Sequence, residues 1–294
     1  MISKDLLARI RKIEIRTRRM VEEVTAGAYH SVFKGSGIEF EDVREYSSDD
    51  DVKDIDWNVT AKMGHPYVKK YIEERELNVM LLVDASASGH FGSGKRTKLE
   101  TAIEIASVLA FSAIRNHDKV GLLLFTDKTE LYLPPKSGSQ HCLRLIRELV
   151  ARKPEGKGTD IAAALENIMR VLHKRAVIFL ISDMISERNY QKLLTVANKR
   201  HDVVGVRILD PQELNVPKIK GLSIKDAETN AYGYFSGNKK AIAEFNKKTL
   251  DLHAMNKEIC EKAKVDLIDI QCGDDLIKPI MGFFRKRERL AQRG

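Results

Sequence analysis

Short apolar runs at 79–83, 119–125, 129–133, 176–181, 203–209 and 265–270 alternate with longer stretches whose apolar residues recur every three to four positions. Runs of this length, near-continuously apolar and rich in Val, Ile and Leu, predict strands, several of them covered on both faces of a sheet. Helical spacing fills the intervals at 99–113 (Ile103, Ala106, Ala110, Ala113), 141–150, 161–172 (Ile161, Leu165, Ile168, Leu172), 190–198 and 241–263. Strand and helix in alternation predict α/β layers around a mostly parallel sheet. Pro134 and Pro135 are expected to stop the strand at 129–133, and 222–224 with 231–235 to form an antiparallel edge of that sheet. Tyr67 to Tyr71 reads as an extended entry to it. At the N-terminus Leu6, Leu7, Ile10, Ile13, Val21 and Val24 draw an apolar stripe on a helix with a basic opposite face. Such a helix either docks on the domain or lies on a membrane or partner surface.

The polar residues that matter stand where these strands end. The run at 79–83 leads into Asp84-Ala85-Ser86-Ala87-Ser88, and the run at 176–181 into Ser182-Asp183. Between them, Gly156 and Gly158 bracket a loop that carries Thr159 and Asp160 into a helix. In a parallel sheet the carboxyl ends of strands share one edge, where ligands bind, so residues about a hundred positions apart can converge there. Carboxylates and hydroxyls together suit a hard divalent cation. Helix capping competes with that account, because Asp, Ser and Thr after a strand also satisfy orphan amides. Taken alone, the Asp84 triplet fits either role, and so does the Thr159-Asp160 pair.

Together, Asp84-x-Ser86-x-Ser88, the distal Thr159 and the distal Asp183 resemble the metal-ion-dependent adhesion site of von Willebrand factor A domains. The upstream block from Gly37 to Tyr46, with Asp49-Asp50-Asp51 and Asp54 to Ala61, resembles the signature of the bacterial DUF58 family, which precedes such a domain. The resemblance implies a Rossmann-like von Willebrand factor A fold with a central mostly parallel sheet, plus a small N-terminal accessory region. It implies Mg²⁺ (or Mn²⁺ or Ca²⁺) held by Asp84, Ser86, Ser88, Thr159 and Asp183, with an open position for an acidic partner side chain. It implies as partners a MoxR-type AAA+ ATPase and other von Willebrand factor A proteins, with no enzyme activity. One local departure is Gly89-His90-Phe91, where a methionine is common after the second serine.

The accompanying domain reading is an N-terminal helix at 1–24, an accessory region at 25–76, the A-like domain at 77–272, and a packing segment with a basic tail at 273–294. Within the accessory region Phe40, Val43, Tyr46, Ile55 and Trp57 are expected to form a small core, and Asp49 to Asp51 a solvated turn. Asp54 and Asp56 fall on one face if the segment is extended, with Arg44 as their expected ion-pair partner.

Composition narrows the remaining classes. At 43% hydrophobic and 31% charged residues over 294 positions, the chain has material for a substantial core and is not a disordered one. The net charge of +8 is dispersed, without the continuous basic face that nucleic acid requires, so an acidic protein surface or weak peripheral contact with an anionic membrane is the expected use. No run approaches the roughly 20 apolar residues of a membrane span. Seven Lys or Arg residues within positions 1–23 leave no signal-peptide core there, and cytoplasmic residence is expected. Cys142, Cys260 and Cys272 lack metal-ligand spacing and fit a reducing compartment.

Gly92-Ser93-Gly94-Lys95-Arg96 lacks the spacing and terminal hydroxyl of a phosphate loop. The basic turn of Lys95, Arg96 and Lys98 is expected to be solvated, with Arg96 able to meet acidic groups. Metal-assisted hydrolysis is the rival chemistry, with His90 as the available base, but Ser stands at position 86 and no close catalytic pair is evident. Phe283 and Phe284 are expected to pack back on the sheet, and 286–294 to fray.

Overall fold

The computed structural model describes residues 10–11, 13–17, 20–21, 39–72, 76–216, 221–228 and 231–291. The chain divides into two compact units, Phe33–Leu77 and the remainder, Met1–Val32 with Asn78–Gly294.

In the smaller unit, β1 (Glu39–Glu45) pairs antiparallel with β2 (Tyr67–Ile72), and α1 (Trp57–Met63) lies between them in sequence. The 67–71 segment therefore belongs to this ribbon and is not an entry to the main sheet. Asp56 caps α1 by accepting from the amides of Asn58 and Val59, and Gly64 closes the helix at φ +78°, in the left-handed region that favours glycine. That cap places Trp57 at the first helical position, where it is 67% exposed and stands outside the expected small core; among the described residues of this unit Val68 is the buried apolar side chain. Arg44 forks onto Asp50 (Nη1 to Oδ2, 2.8 Å) in place of Asp54 and Asp56. Asp56 is already committed to its cap.

The larger unit is organised by a six-stranded sheet of β3 (Asn78–Asp84), β4 (Lys119–Phe125), β5 (Thr129–Lys136), β6 (Val177–Ser182), β7 (Asp202–Leu209) and, last in sequence, β10 (Asp266–Gln271). Its order is β10-β7-β6-β3-β4-β5, parallel throughout except for the β4–β5 pair. β3 and β6 lie at the centre with almost every residue buried, as their uninterrupted apolar sequences require. Met80, Leu82, Ile178 and Leu180 pack with Leu165 and Ile168 of α4 (Ile161–Val171) and Leu194 of α5 (Gln191–Arg200). Alternation sends Leu81 and Val83 to the opposite face, which α2 (Lys98–Arg115) covers with a stripe that includes Ile105, Ala106 and Leu109. A Thr97–Glu100 capping box starts that helix.

Two expectations about edges change. β5 continues through Pro134 and Pro135 to Lys136, because it is the outer strand and a missing amide there breaks no ladder on the solvent side. This strand is the antiparallel edge. β8 (Leu222–Lys225) and β9 (Tyr232–Phe235) form a separate two-stranded hairpin. After α3 (Ser139–Ala151), the short α6 (Pro211–Leu214) and α7 (Lys239–Lys262), the chain ends in α8 (Ile277–Ala291). Phe283 and Phe284 are buried as expected, but positions 286–291 remain helical. The Arg287 guanidinium holds them by forking onto Asp202 (2.7 and 2.9 Å) and Asp266 (2.8 Å).

At the N-terminus, residues 10–11, 13–17 and 20–21 are helical, with Ile10, Thr17 and Val21 buried and Arg16 paired to Glu104 of α2. These turns dock on the larger unit. Leu6, Leu7 and Val24 lie outside the described residues.

Candidate metal centre

Each parallel strand delivers a polar residue to one edge. Asp84 is the last residue of β3, and the turn beyond it is pinned by Ala85 N–H to the Phe125 carbonyl (2.8 Å) and Ala87 N–H to the Lys157 carbonyl (2.9 Å). Asp84 Oδ1 accepts from the Ser86 amide at 2.9 Å, so the carboxylate does the local capping and the serine hydroxyls are left for other work. Ser86 begins a 3₁₀ turn without using its side chain as a cap. Its Oγ lies 3.0 Å from Ser88 Oγ, and Ser88 Oγ donates to Asp183 Oδ2 at 3.4 Å. Four of the five expected residues thus meet around one small cavity, whose walls also include Lys98 and Ser182.

Thr159 arrives from the glycine loop. The second capping ambiguity resolves in the same way as the first: Asp160 caps α4 by accepting from Ala163 N–H, while Thr159 Oγ1 donates to Glu228 Oε1 at 3.0 Å. Ser88 also lies close enough to Glu228 to favour its charge, as Thr159 does, against the burial that raises its pKa. The loop is held by Glu130 of β5, which accepts from Glu155 N–H, Gly156 N–H and Thr126 Oγ1. Burial works against the Glu130 charge, but those bonds prevail and lower its pKa. A side chain at Gly156 would collide with Thr126 and Asp127.

On β6, Ser182 Oγ donates to Asp84 Oδ2 at 2.6 Å and accepts from Met184 N–H at 3.0 Å, fixing the carboxylate plane. Met184 takes φ +64°, a left-handed conformation unfavourable to a non-glycine residue, and this sharp turn follows directly after Asp183. Burial, reinforced by the nearby Asp183 charge, pushes the Asp84 carboxyl up to about 7, against the hydrogen bonds from Ser182 and Ser86.

Sequence reasoning missed Lys98. It is 4% exposed, with Nζ 2.9 Å from Asp183 Oδ2 and 2.8 Å from Glu213 Oε1. Burial opposes the ammonium, but the two carboxylates outweigh it and raise its pKa. The expectation of a solvated basic turn therefore fails at this residue. The capping box was the available signal, since it sets Lys98 in the first turn of a helix starting beside the site. Arg96 is engaged elsewhere, on Glu104 at 2.6 Å, and His90 lies exposed on its turn. The three cysteines are free and buried.

The donor set is all oxygen: two buried carboxylates and three hydroxyls, without nitrogen or sulfur. Among the described residues no cluster of three His, Cys, Asp or Glu side chains has metal-binding geometry, so hydroxyls must complete any cation site here. Carboxylate and hydroxyl oxygens retain acceptor lone pairs beyond the bonds above, and a raised Asp84 marks negative charge in want of a counterion. These residues fit a hard divalent cation such as Mg²⁺, Mn²⁺ or Ca²⁺.

Comparison with known proteins agrees with this architecture. Uncharacterized proteins of Mycobacterium tuberculosis and Mycobacterium bovis are each 27% identical over 291 residues, covering 98% of this chain and 92% of theirs. An aerotolerance-related membrane protein from Bacteroides fragilis superposes with a TM-score of 0.51 at 17% identity, over 73% of this chain and 99% of that one, a likeness of fold. In this chain no helix among the described residues is long and apolar enough to cross a membrane. The six-stranded, mostly parallel sheet between helical layers is the architecture that the von Willebrand factor A resemblance implies. The family model described as protein of unknown function DUF58 matches residues 42–254, and the chain belongs to that family.

Proposed function

We propose that this chain is a metal-dependent protein-binding adaptor, in which Asp84, Ser86, Ser88, Thr159 and Asp183 hold a divalent cation, Mg²⁺ first, at the carboxyl edge of the sheet. A cation bound there supplies an open coordination position to an acidic side chain of a partner. The protein's own part is orientation: Ser182 sets the Asp84 plane, Lys98 offsets Asp183, and Glu130 holds the loop that presents Thr159. By family resemblance the first partner to try is a MoxR-type AAA+ ATPase, in the cytoplasm.

The test is calorimetric titration with Mg²⁺ of the wild type and of Asp84→Ala and Asp183→Ala, beside capture of the ATPase in magnesium or chelator. The expected result is a wild-type site lost in both variants, with partner capture lost in parallel. Absence of Mg²⁺ binding by the folded wild type overturns the reading. Magnesium-dependent hydrolysis by the purified protein, abolished by Asp84→Ala, moves it to the metal-dependent hydrolase.

A further inference from the structure

The β8–β9 hairpin carries a carboxylate into the site just described. Glu228 Oε1 accepts from Thr159 Oγ1 at 3.0 Å, a Cβ at Gly158 would lie 3.8 Å from Glu228 Oε2, and Ser88 lies close by. The acid therefore lies over the Gly158-Thr159 loop, against two of the five residues assigned to the cation. Its backbone is anchored on either side: the Glu228 amide donates to Asp226 Oδ1 (2.9 Å) and the Asp226 amide to the Ala231 carbonyl (2.8 Å). Tyr232 and Tyr234 are 74% and 80% exposed, and an edge-on contact of Phe235 with Phe245 of α7 ties the hairpin back.

We propose that Glu228 is a built-in ligand that occupies the place of the partner's acidic side chain, so that partner capture requires the β8–β9 hairpin to swing aside. This rests on the cation reading above and deepens it. The geometry also specifies the partner's chemistry: a glutamate presented on a turn, able to reach between Ser88 and Thr159. A hydroxyl that donates to a carboxylate keeps lone pairs for a cation, so Thr159 serves both at once. The hairpin reduces the apparent affinity of an outside carboxylate by the fraction of molecules in which it is released.

Mn²⁺ as the cation and glutarate as the carboxylate probe test this on the full chain, comparing wild type, Glu228→Gln and Glu228→Ala by calorimetry and amide hydrogen exchange. With Mn²⁺ present, Glu228→Ala is expected to bind glutarate about tenfold more tightly than wild type, equivalent to about 1.4 kcal/mol, with Glu228→Gln between them. Adding Mn²⁺ and glutarate to the wild type is expected to speed exchange at Leu222–Lys225 and Tyr232–Phe235. Equal glutarate affinity in all three proteins, with Mn²⁺ bound by each, overturns the built-in ligand and leaves the cation site standing. Loosening of the hairpin in Glu228→Ala without a gain in glutarate affinity reduces the contact to a structural one and overturns it too. Failure of all three to bind Mn²⁺ removes the cation reading, and this inference with it.

Discussion

The two edges of the central sheet are built on opposite electrostatic plans. At the amino edge the charges are matched in place: Asp202 and Asp266, the first residues of β7 and β10, share the fork of Arg287, and Asn198 closes the neighbouring turns by accepting from Val203 N–H and donating to the Ala263 and Lys264 carbonyls. At the carboxyl edge Lys98 meets Asp183 and Glu213, Asp84 lines the same cavity and Glu228 meets Thr159, and burial raises the pKa of Asp84, Glu213 and Glu228. A cluster of under-compensated acids destabilises the folded state, whereas the Arg287 network stabilises it. The difference separates a surface that closes the fold from one whose buried carboxylates are left under-compensated.

Removing Lys98 should break this contrast most severely. It and Asp183 form a pair whose side chains are 4% and 6% exposed, and deleting one partner of a buried pair costs on the order of 3–5 kcal/mol. Lys98→Met is expected to lose about that much stability in chelator, measured by urea denaturation, and to recover part of it when Mg²⁺ is added. A variant equally stable with and without the cation would contradict the assignment of Lys98 as the charge that offsets Asp183. The wild type, already carrying its ammonium, should gain less from Mg²⁺ than the variant does.

Between about pH 4 and 7, a change of pH should act on the two edges with opposite sign. His201, buried beside the amino end of β7, is pushed down to about 4, first by burial and then by Arg200 and Arg175; among the described residues neither of its ring nitrogens meets a hydrogen-bond partner. Its ordinary value is 6.5, so the unfolded chain binds the extra proton and stability falls as pH drops from about 6.5 to 4. Asp84 rises from 3.8 to about 7, so the folded chain binds the extra proton and stability falls as pH climbs through that interval. In metal-free buffer, thermal melts should show His201→Leu flattening the loss on the acid side and Asp84→Asn flattening the loss toward neutrality. Matching effects of both substitutions in one pH window would refute the division between the edges.

What was legible in the sequence follows the same line. Val79 to Val83 and Val177 to Ile181 are apolar enough to declare buried parallel strands, and parallel strands oblige their ends to meet, so Asp84 and Asp183 could be paired across 98 intervening residues. Lys98 and Glu228 obey no such rule. Lys98 is 85 positions from Asp183 and 115 from Glu213, and Glu228 is 69 from Thr159, so their burial and contacts exist only once the chain is packed. Trp57 misled because hydrophobicity alone argues for burial, while its exposure follows from Asp56 capping the helix it begins. Pro134 and Pro135 misled because a strand's tolerance of proline depends on being outermost, a property of the assembled sheet.

The smallest expected effect separates two adjacent residues at the carboxyl edge. Asp160 Oδ1 accepts from Ala163 N–H at 2.8 Å as the cap of α4, and Thr159 Oγ1 faces Glu228. Asp160→Ala should cost about 1 kcal/mol, the usual loss of an N-cap, and leave Mg²⁺ affinity unchanged. Thr159→Val removes a hydroxyl from the donor set proposed for the cation without touching the cap, so it should weaken Mg²⁺ binding more than it lowers the urea midpoint. Measuring both quantities for both variants divides one dipeptide into a fold-closing residue and a ligand-facing one. If Asp160→Ala weakens the cation more than Thr159→Val does, the glycine loop contributes its carboxylate to the site and its hydroxyl to the fold, the reverse of the arrangement the geometry supports.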